Sequence, residues 1–209
     1  MRVMGIHSSP FPEGNTAFVL QAALSEAATV EGVTTEAVSL AGLTIADCRQ
    51  CDWCMKKQTP DQLCAVEDDA APLLGRIRDC DVLVLATPVY FGRMTGSMAC
   101  LIDRTRCFLF GKAGRAALKG KVGVALAVGW RRNYGLEAAL QSLHQAFLIH
   151  EMLTPSSYAA GVLYGAAVVS GQKNEEGRYW RDRPSVVHDR EGMEAVRLLM
   201  REAVRTASV

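Results

Sequence analysis

Two textures of apolar residues alternate along the chain. Short runs in which nearly every residue is apolar give way to longer stretches with apolar residues at helical spacing. The run from Arg2 to His7 predicts a first strand, and "NTAFVLQAALSEAAT" a helix, with Asn15 or Thr16 as its cap. The β-branched segment from Val33 to Leu40 predicts a second strand. "DDAAPLLGRIRD" predicts a helix with acidic residues in its first turn, where they suit the helix dipole. Asp81 to Gly92 and Lys121 to Trp130 are continuous apolar runs, as expected of strands buried on both faces of a parallel sheet. "TGSMACLIDRTRCF" separates these two as a helix. Leu136, Leu140, Leu143 and Phe147 then line one face of an amphipathic helix, and Met193, Val196, Met200 and Ala203 line another that closes the chain. A fifth strand is placed at Met152 to Pro155 or within "GAAVVSG".

Strands alternating with helices predict an α/β fold, with one parallel sheet covered on both faces. The chain has 209 residues, which suits a single domain spanning 1–209. A formal net charge of +1 gives no footprint for nucleic acid or a membrane surface. The start "MRVMGIHSSP" has no signal-peptide core, and the apolar run "YAAGVLYGAAVV" is too short to cross a bilayer. The expectation is a cytoplasmic protein that keeps its seven cysteines reduced. Cys80, Cys100 and Cys107 fall in apolar segments and are read as core.

In an open α/β sheet, ligands bind beyond the carboxyl ends of the strands. After the first strand comes "SSPFPEGNT", in which Ser8, Ser9, Phe11, Asn15 and Thr16 lead into a helix N-terminus, a natural phosphate cradle. After the third comes "TPVYFG", where Pro88, Val89, Tyr90, Phe91 and Gly92 offer a rigid turn, flat apolar faces and a close backbone approach. Gly129 and Trp130 follow the fourth, with Arg131 and Arg132 facing either an anion or solvent. Taken alone, the first two tips read more readily as a capped turn and as packing; together the three suit a ligand with a ring and a phosphate. The dinucleotide fingerprint G-x-G-x-x-G, the Walker spacing, G-x-S-x-G and H-E-x-x-H are all missing. The four histidines are scattered and read as single core or surface residues.

These residues together resemble the flavodoxin-like NAD(P)H-dependent FMN reductases, and within them the iron–sulfur flavoproteins. The likeness rests on "SSPFPEGNT", a cysteine group from Cys48, the pair Asp68-Asp69, "TPVYFG", Leu101 to Arg104, Tyr164 to Ala166 and Asp189 to Ala195. It implies a doubly wound five-stranded parallel sheet of order 2-1-3-4-5, with FMN at the strand tips. Ser9, Asn15 and Thr16 would hold the phosphate within the Ser8–Thr16 loop. Pro88 to Gly92 would line the isoalloxazine ring, with Gly129 and Trp130 approaching it. Phe11 stands where the family usually has Arg, so one phosphate-loop charge is missing. The resemblance also implies a homodimer or homotetramer.

The loop over 42–68 carries Cys48, Cys51, Cys54 and Cys64, spaced C-x2-C-x2-C-x9-C. Close thiols on one short loop suit a [4Fe–4S] cluster, zinc more often takes two separated C-x-x-C knuckles, and free thiols are the third reading. The implied function is a redox flavoprotein. It would move electrons from ferredoxin or NAD(P)H to a small acceptor such as a quinone, oxygen or a nitro compound. A cluster-free NAD(P)H:FMN or quinone reductase and a non-catalytic electron carrier or redox sensor are the alternatives. No acid–base residue is assigned. The polar loop over 171–185 is too long for a turn and is left as functional or mobile.

Overall fold

A computed structural model describes residues 1–158, 161–180 and 182–209. Ala159 and Ala160 of the apolar run and Arg181 of the polar loop lie outside the described residues.

Five parallel strands, β1 (Arg2–His7), β2 (Thr34–Ser39), β3 (Val82–Pro88), β4 (Val122–Gly129) and β5 (Ala166–Val169), form one sheet of order β2-β1-β3-β4-β5. This is the flavodoxin-like order. Every residue of β3 and β4 is buried, whereas the first four residues of the edge strand β2 are exposed. Burial on both faces is what the uninterrupted apolar runs require.

The period of two along each strand divides the core in two. The short α2 (Trp53–Lys56) lies within the cysteine loop, and on one face of the sheet Leu83, Leu85, Ala125 and Ala127 meet α3 (Ala70–Asp79), α4 (Gly96–Arg104), α5 (Arg106–Leu109) and α6 (Leu136–Ile149). On the other, Val82, Val84, Val124 and Leu126 meet α1 (Asn15–Ala27) and α7 (Arg190–Ala207). Leu136, Leu140, Leu143 and Phe147 are buried as their spacing predicts, and so are Met193, Val196, Met200 and Ala203. Phe147 lies flat on β4: a Cβ at Gly123 would stand 2.5 Å from its Cγ.

Several local expectations change. The fifth strand is the "AAVV" of "GAAVVSG"; Leu153 makes only an isolated bridge to Val122. The N-cap of α1 is Gly14, with no side-chain cap, rather than Asn15 or Thr16. The predicted helix after β3 breaks at Thr105, whose Oγ1 donates to Ile102 O at 2.6 Å and separates α4 from α5. Cys80 and Cys107 are core, but Cys100 is only partly buried.

Asp68 and Asp69 precede α3 instead of filling its first turn, and they bind the chain of the cysteine loop. Asp68 Oδ2 accepts from Ala46 N at 2.9 Å and Asp69 Oδ2 from Thr44 N at 2.7 Å. Arg104, from α4, reaches the same place. It pairs with Asp68 at 2.6 Å and donates to Ala46 O and Val66 O at 3.2 and 2.9 Å. The two acids and the arginine hold both ends of the loop to the core.

Candidate functional site

The carboxyl ends of β1, β3, β4 and β5 converge on a cavity of about 240 Å³. It straddles the β1–β3 boundary, where the strand order reverses and ligand crevices form. Ser9, Phe11, Gly14, Asn15 and Thr16 line it from the first loop, Pro88, Val89 and Tyr90 from the second, Val128, Gly129 and Trp130 from the third. Ser170, just past β5, and Arg183 complete the wall. A cleft of similar volume between Arg2, Glu36, Arg76 and Cys80 lies at the amino ends of the strands, away from these loops.

The first loop presents a helix N-terminus. The N–H groups of Asn15, Thr16 and Ala17 have no acceptor inside α1, and no side chain caps them. Ser9 Oγ accepts from Phe11 N at 3.2 Å, which leaves its own hydroxyl proton to donate. Asn15 uses its side chain elsewhere: Nδ2 donates to Ser185 Oγ at 3.3 Å and Oδ1 accepts from Val186 N at 3.4 Å. Ser8 lies outside the cavity wall; buried, it donates to Thr87 Oγ1 at 3.2 Å and ties β1 to β3.

The second loop continues β3 past its end. Val89 N donates to Val128 O at 2.8 Å, and Tyr90 and Arg93 exchange backbone hydrogen bonds around Phe91 and Gly92. Both of those central residues have positive φ, 51° and 74°, as in a type I′ turn. Phe91 and Gly92 therefore lie outside the cavity wall, with the Phe91 side chain fully exposed. Gly92 backs onto Gly135, the left-handed residue (φ 94°) before α6; a Cβ at Gly135 would collide with the Gly92 backbone. On the third loop, a Cβ at Gly129 would meet Leu136 at 3.1 Å, so glycine there makes room for α6, while the residue also lines the cavity.

Arg131 and Arg132 lie outside the cavity wall and are exposed to solvent, each with a partner at the surface. Arg131 stacks over Trp130, 4.6 Å from the ring centre, and over Tyr179, with which it also hydrogen-bonds. Arg132 pairs with the buried Asp189 at 3.1 Å. The sequence reading missed Ser170 and Arg183. Its one signal was the length of the polar loop over 171–185, which contains Arg183.

The cysteine loop lies apart. Cys51 is exposed, while Cys48, Cys54 and Cys64 are partly buried. Burial raises the Cys54 thiol pKa, Arg106 opposes that, and Cys64 and Cys48 add to it, so these three sulfurs share one electrostatic neighbourhood. Arg106 Nη1 is 3.8 Å from Cys54 Sγ, and its Nη2 pairs with Asp52 at 2.8 Å. Arg104 Nε is buried without a hydrogen-bond partner, and Cys64 is among the groups that raise the guanidinium pKa against the effect of burial. The donor chemistry fits an iron–sulfur cluster, but among the described residues no three His, Cys, Asp or Glu side chains converge to hold a metal.

Residues 1–165 match the family described as NADPH-dependent FMN reductase. The chain belongs to that family. It is an FMN-dependent oxidoreductase with the flavodoxin-like fold. Curated relatives in this family include an iron-sulfur flavoprotein of Methanocaldococcus jannaschii, 37% identical over 172 residues, covering 80% of this chain and 84% of the relative. A second from the same organism is 33% identical over 94% of this chain and 92% of its own length. The iron-sulfur flavoprotein of Methanosarcina thermophila is 32% identical over 80% of this chain and 84% of its own. Solved structures share the fold at low identity. RosB with the bound intermediate 8-demethyl-8-formylriboflavin-5′-phosphate has a TM-score of 0.72 at 16% identity, covering 100% of this chain and 79% of that one. The Trp repressor binding protein of Bacillus subtilis has a TM-score of 0.62 at 19% identity, covering 95% and 98%. Among the described residues no helix is long and apolar enough to cross a membrane.

Proposed function

We propose that the FMN reductase-family cavity takes FMN with its phosphate at the N-terminus of α1. The isoalloxazine ring then lies against Pro88, Val89, Tyr90 and Trp130. The protein passes electrons from NAD(P)H or ferredoxin to a small acceptor such as a quinone, oxygen or a nitro compound. Cys48, Cys51, Cys54 and Cys64 hold a [4Fe–4S] cluster.

The observation that carries the reading is one cavity with two unlike ends. One end offers uncapped N–H groups and the Ser9 hydroxyl, which suit an anion. The other offers Tyr90, Val128 and Trp130, which suit a flat apolar ring. Bound FMN supplies hydride and single-electron exchange, and a cluster supplies single-electron exchange alone. The chain's own groups bind and orient. The Asn15–Ala17 amides and Ser9 fix the phosphate, Pro88 and the Tyr90–Arg93 turn set the ring's depth, and Trp130, braced by Arg131, shields it from water. For the cluster, the support is the names of the relatives and the shared setting of Cys48, Cys54 and Cys64 beside Arg104 and Arg106. The exposed Cys51, and the lack of a converged site among the described residues, favour the cluster-free reductase as a second reading.

The test is a count of iron, acid-labile sulfide and flavin on protein purified without oxygen. One FMN and about four iron atoms per chain are expected, with the iron lost in Cys48→Ser while FMN stays. FMN without iron, together with NAD(P)H-driven quinone turnover, selects the cluster-free reading. No flavin after reconstitution overturns both.

A further inference from the structure

A phosphate ester carries close to two negative charges, and the loop that would face it brings no cation of its own. The only charged residue between Ser8 and Thr16 is Glu13. Among the described residues lining the cavity, one is charged: Arg183, from the end of the polar loop. Its guanidinium carbon lies 5.7 Å from the centre of the Phe11 ring, so the aromatic on the first loop is its platform. Among the described residues Arg183 has no carboxylate partner. The neighbouring acid, Asp182, is engaged by His188 at 2.8 Å.

The end of the polar loop is held in place. His188 stacks on Trp180 with ring centres 3.9 Å apart and planes 7° from parallel. Ser185 Oγ donates to Ser170 O at 2.9 Å, and Asn15 binds Ser185 and Val186. Asn15 thus fastens the far end of this loop to the first residue of α1, and Arg183 stands two residues before that fastening.

We propose that Arg183 supplies the positive charge of the phosphate subsite, seated on Phe11, and that the segment from Asp182 to Ser185 is the strap that delivers it. The proposal rests on the FMN reading of the cavity and adds its anion-recognition residue. A guanidinium suits the task because its fork of N–H donors matches phosphate oxygens. It would set the preference for a phosphorylated over an unphosphorylated flavin and leave the ring's contacts unchanged.

The experiment titrates flavin-free wild-type and Arg183→Gln proteins with FMN and with riboflavin, at low and high salt. The expected result is that the substitution weakens FMN by about tenfold, leaves riboflavin unchanged, and reduces the salt dependence of FMN binding. Phe11→Arg in the Arg183→Gln background places a guanidinium on the first loop and should restore most of the FMN preference. An unchanged ratio of FMN to riboflavin affinity in Arg183→Gln overturns the role of Arg183 while leaving the FMN site standing. Wild-type protein that binds neither flavin overturns the site and the inference together.

Discussion

Replacing Arg104 with Met should unfasten the cysteine loop at a large and measurable cost. The Arg104 side chain is wholly buried and that of its partner Asp68 is 7% exposed, so water cannot replace the ion pair. Removing the guanidinium leaves a buried carboxylate unpaired, a loss of about 3–5 kcal/mol. It also strips the donors from Ala46 O and Val66 O, which places the cost at the upper end of that range. In a chain of this size, each kcal/mol moves the melting midpoint by about 2–4 °C, so a fall of about 10 °C or more is expected. Urea titration of the flavin-free protein measures the stability. Limited proteolysis should show new cleavage between 42 and 68. Asp68→Asn gives the electrostatic share. Burial alone would raise the Asp68 pKa, but the Arg104 hydrogen bond and the Ala46 and Ala70 amides outweigh it and hold the carboxyl below its ordinary 3.8. That stabilisation is complete above the unfolded value and disappears as pH falls through the folded one. The gap between wild type and Asp68→Asn should therefore narrow only below about pH 4. A loss under about 1 kcal/mol in Arg104→Met would refute the clamp, because removing one partner of a buried ion pair ordinarily costs about 3–5 kcal/mol.

His150 gives a second pH dependence in a different window. Burial pushes its pKa from 6.5 down to about 4, with the ring bonded to Thr105 Oγ1 at 2.7 Å. Between those values only the unfolded chain takes up the proton. Stability should fall by about 3 kcal/mol as pH drops from 7 to 4, and His150→Gln should flatten that slope in urea titrations at stepped pH. Gly135→Ala forces a Cβ onto a left-handed residue and into the Gly92 backbone, so it should cost about 2 kcal/mol or more and weaken FMN by displacing the Tyr90–Arg93 turn. Isothermal titration with FMN and thermal melts check both effects.

The sheet was legible because β1, β3 and β4 are buried on both faces, and such strands leave a continuous apolar signature that no surface helix mimics. The amphipathic faces of α6 and α7 were legible for the matching reason, a period near 3.6 over three or more turns. Boundaries and caps were not. Asn15 looked like a cap by residue type, but its amide is held by Ser185 and Val186, which are 170 and 171 positions away in sequence. The same distance hid Arg183: nothing local to "RDRPS" shows that it faces the phosphate loop. Of the two readings open for Arg131 and Arg132, the solvent-facing one holds, and their partners Tyr179 and Asp189 could not be read locally because they come from segments some 50 residues downstream. Phe91 and Gly92 read as ring-lining from "TPVYFG", while their positive φ values turn them outward.

A crystal structure of the protein soaked with FMN tests the central claim most directly. The account predicts the phosphate within hydrogen-bonding distance of the Asn15–Ala17 amides and the Ser9 hydroxyl, with the ring between Tyr90 and Trp130. A flavin bound at the amino ends of the strands, or with its phosphate away from α1, would contradict it.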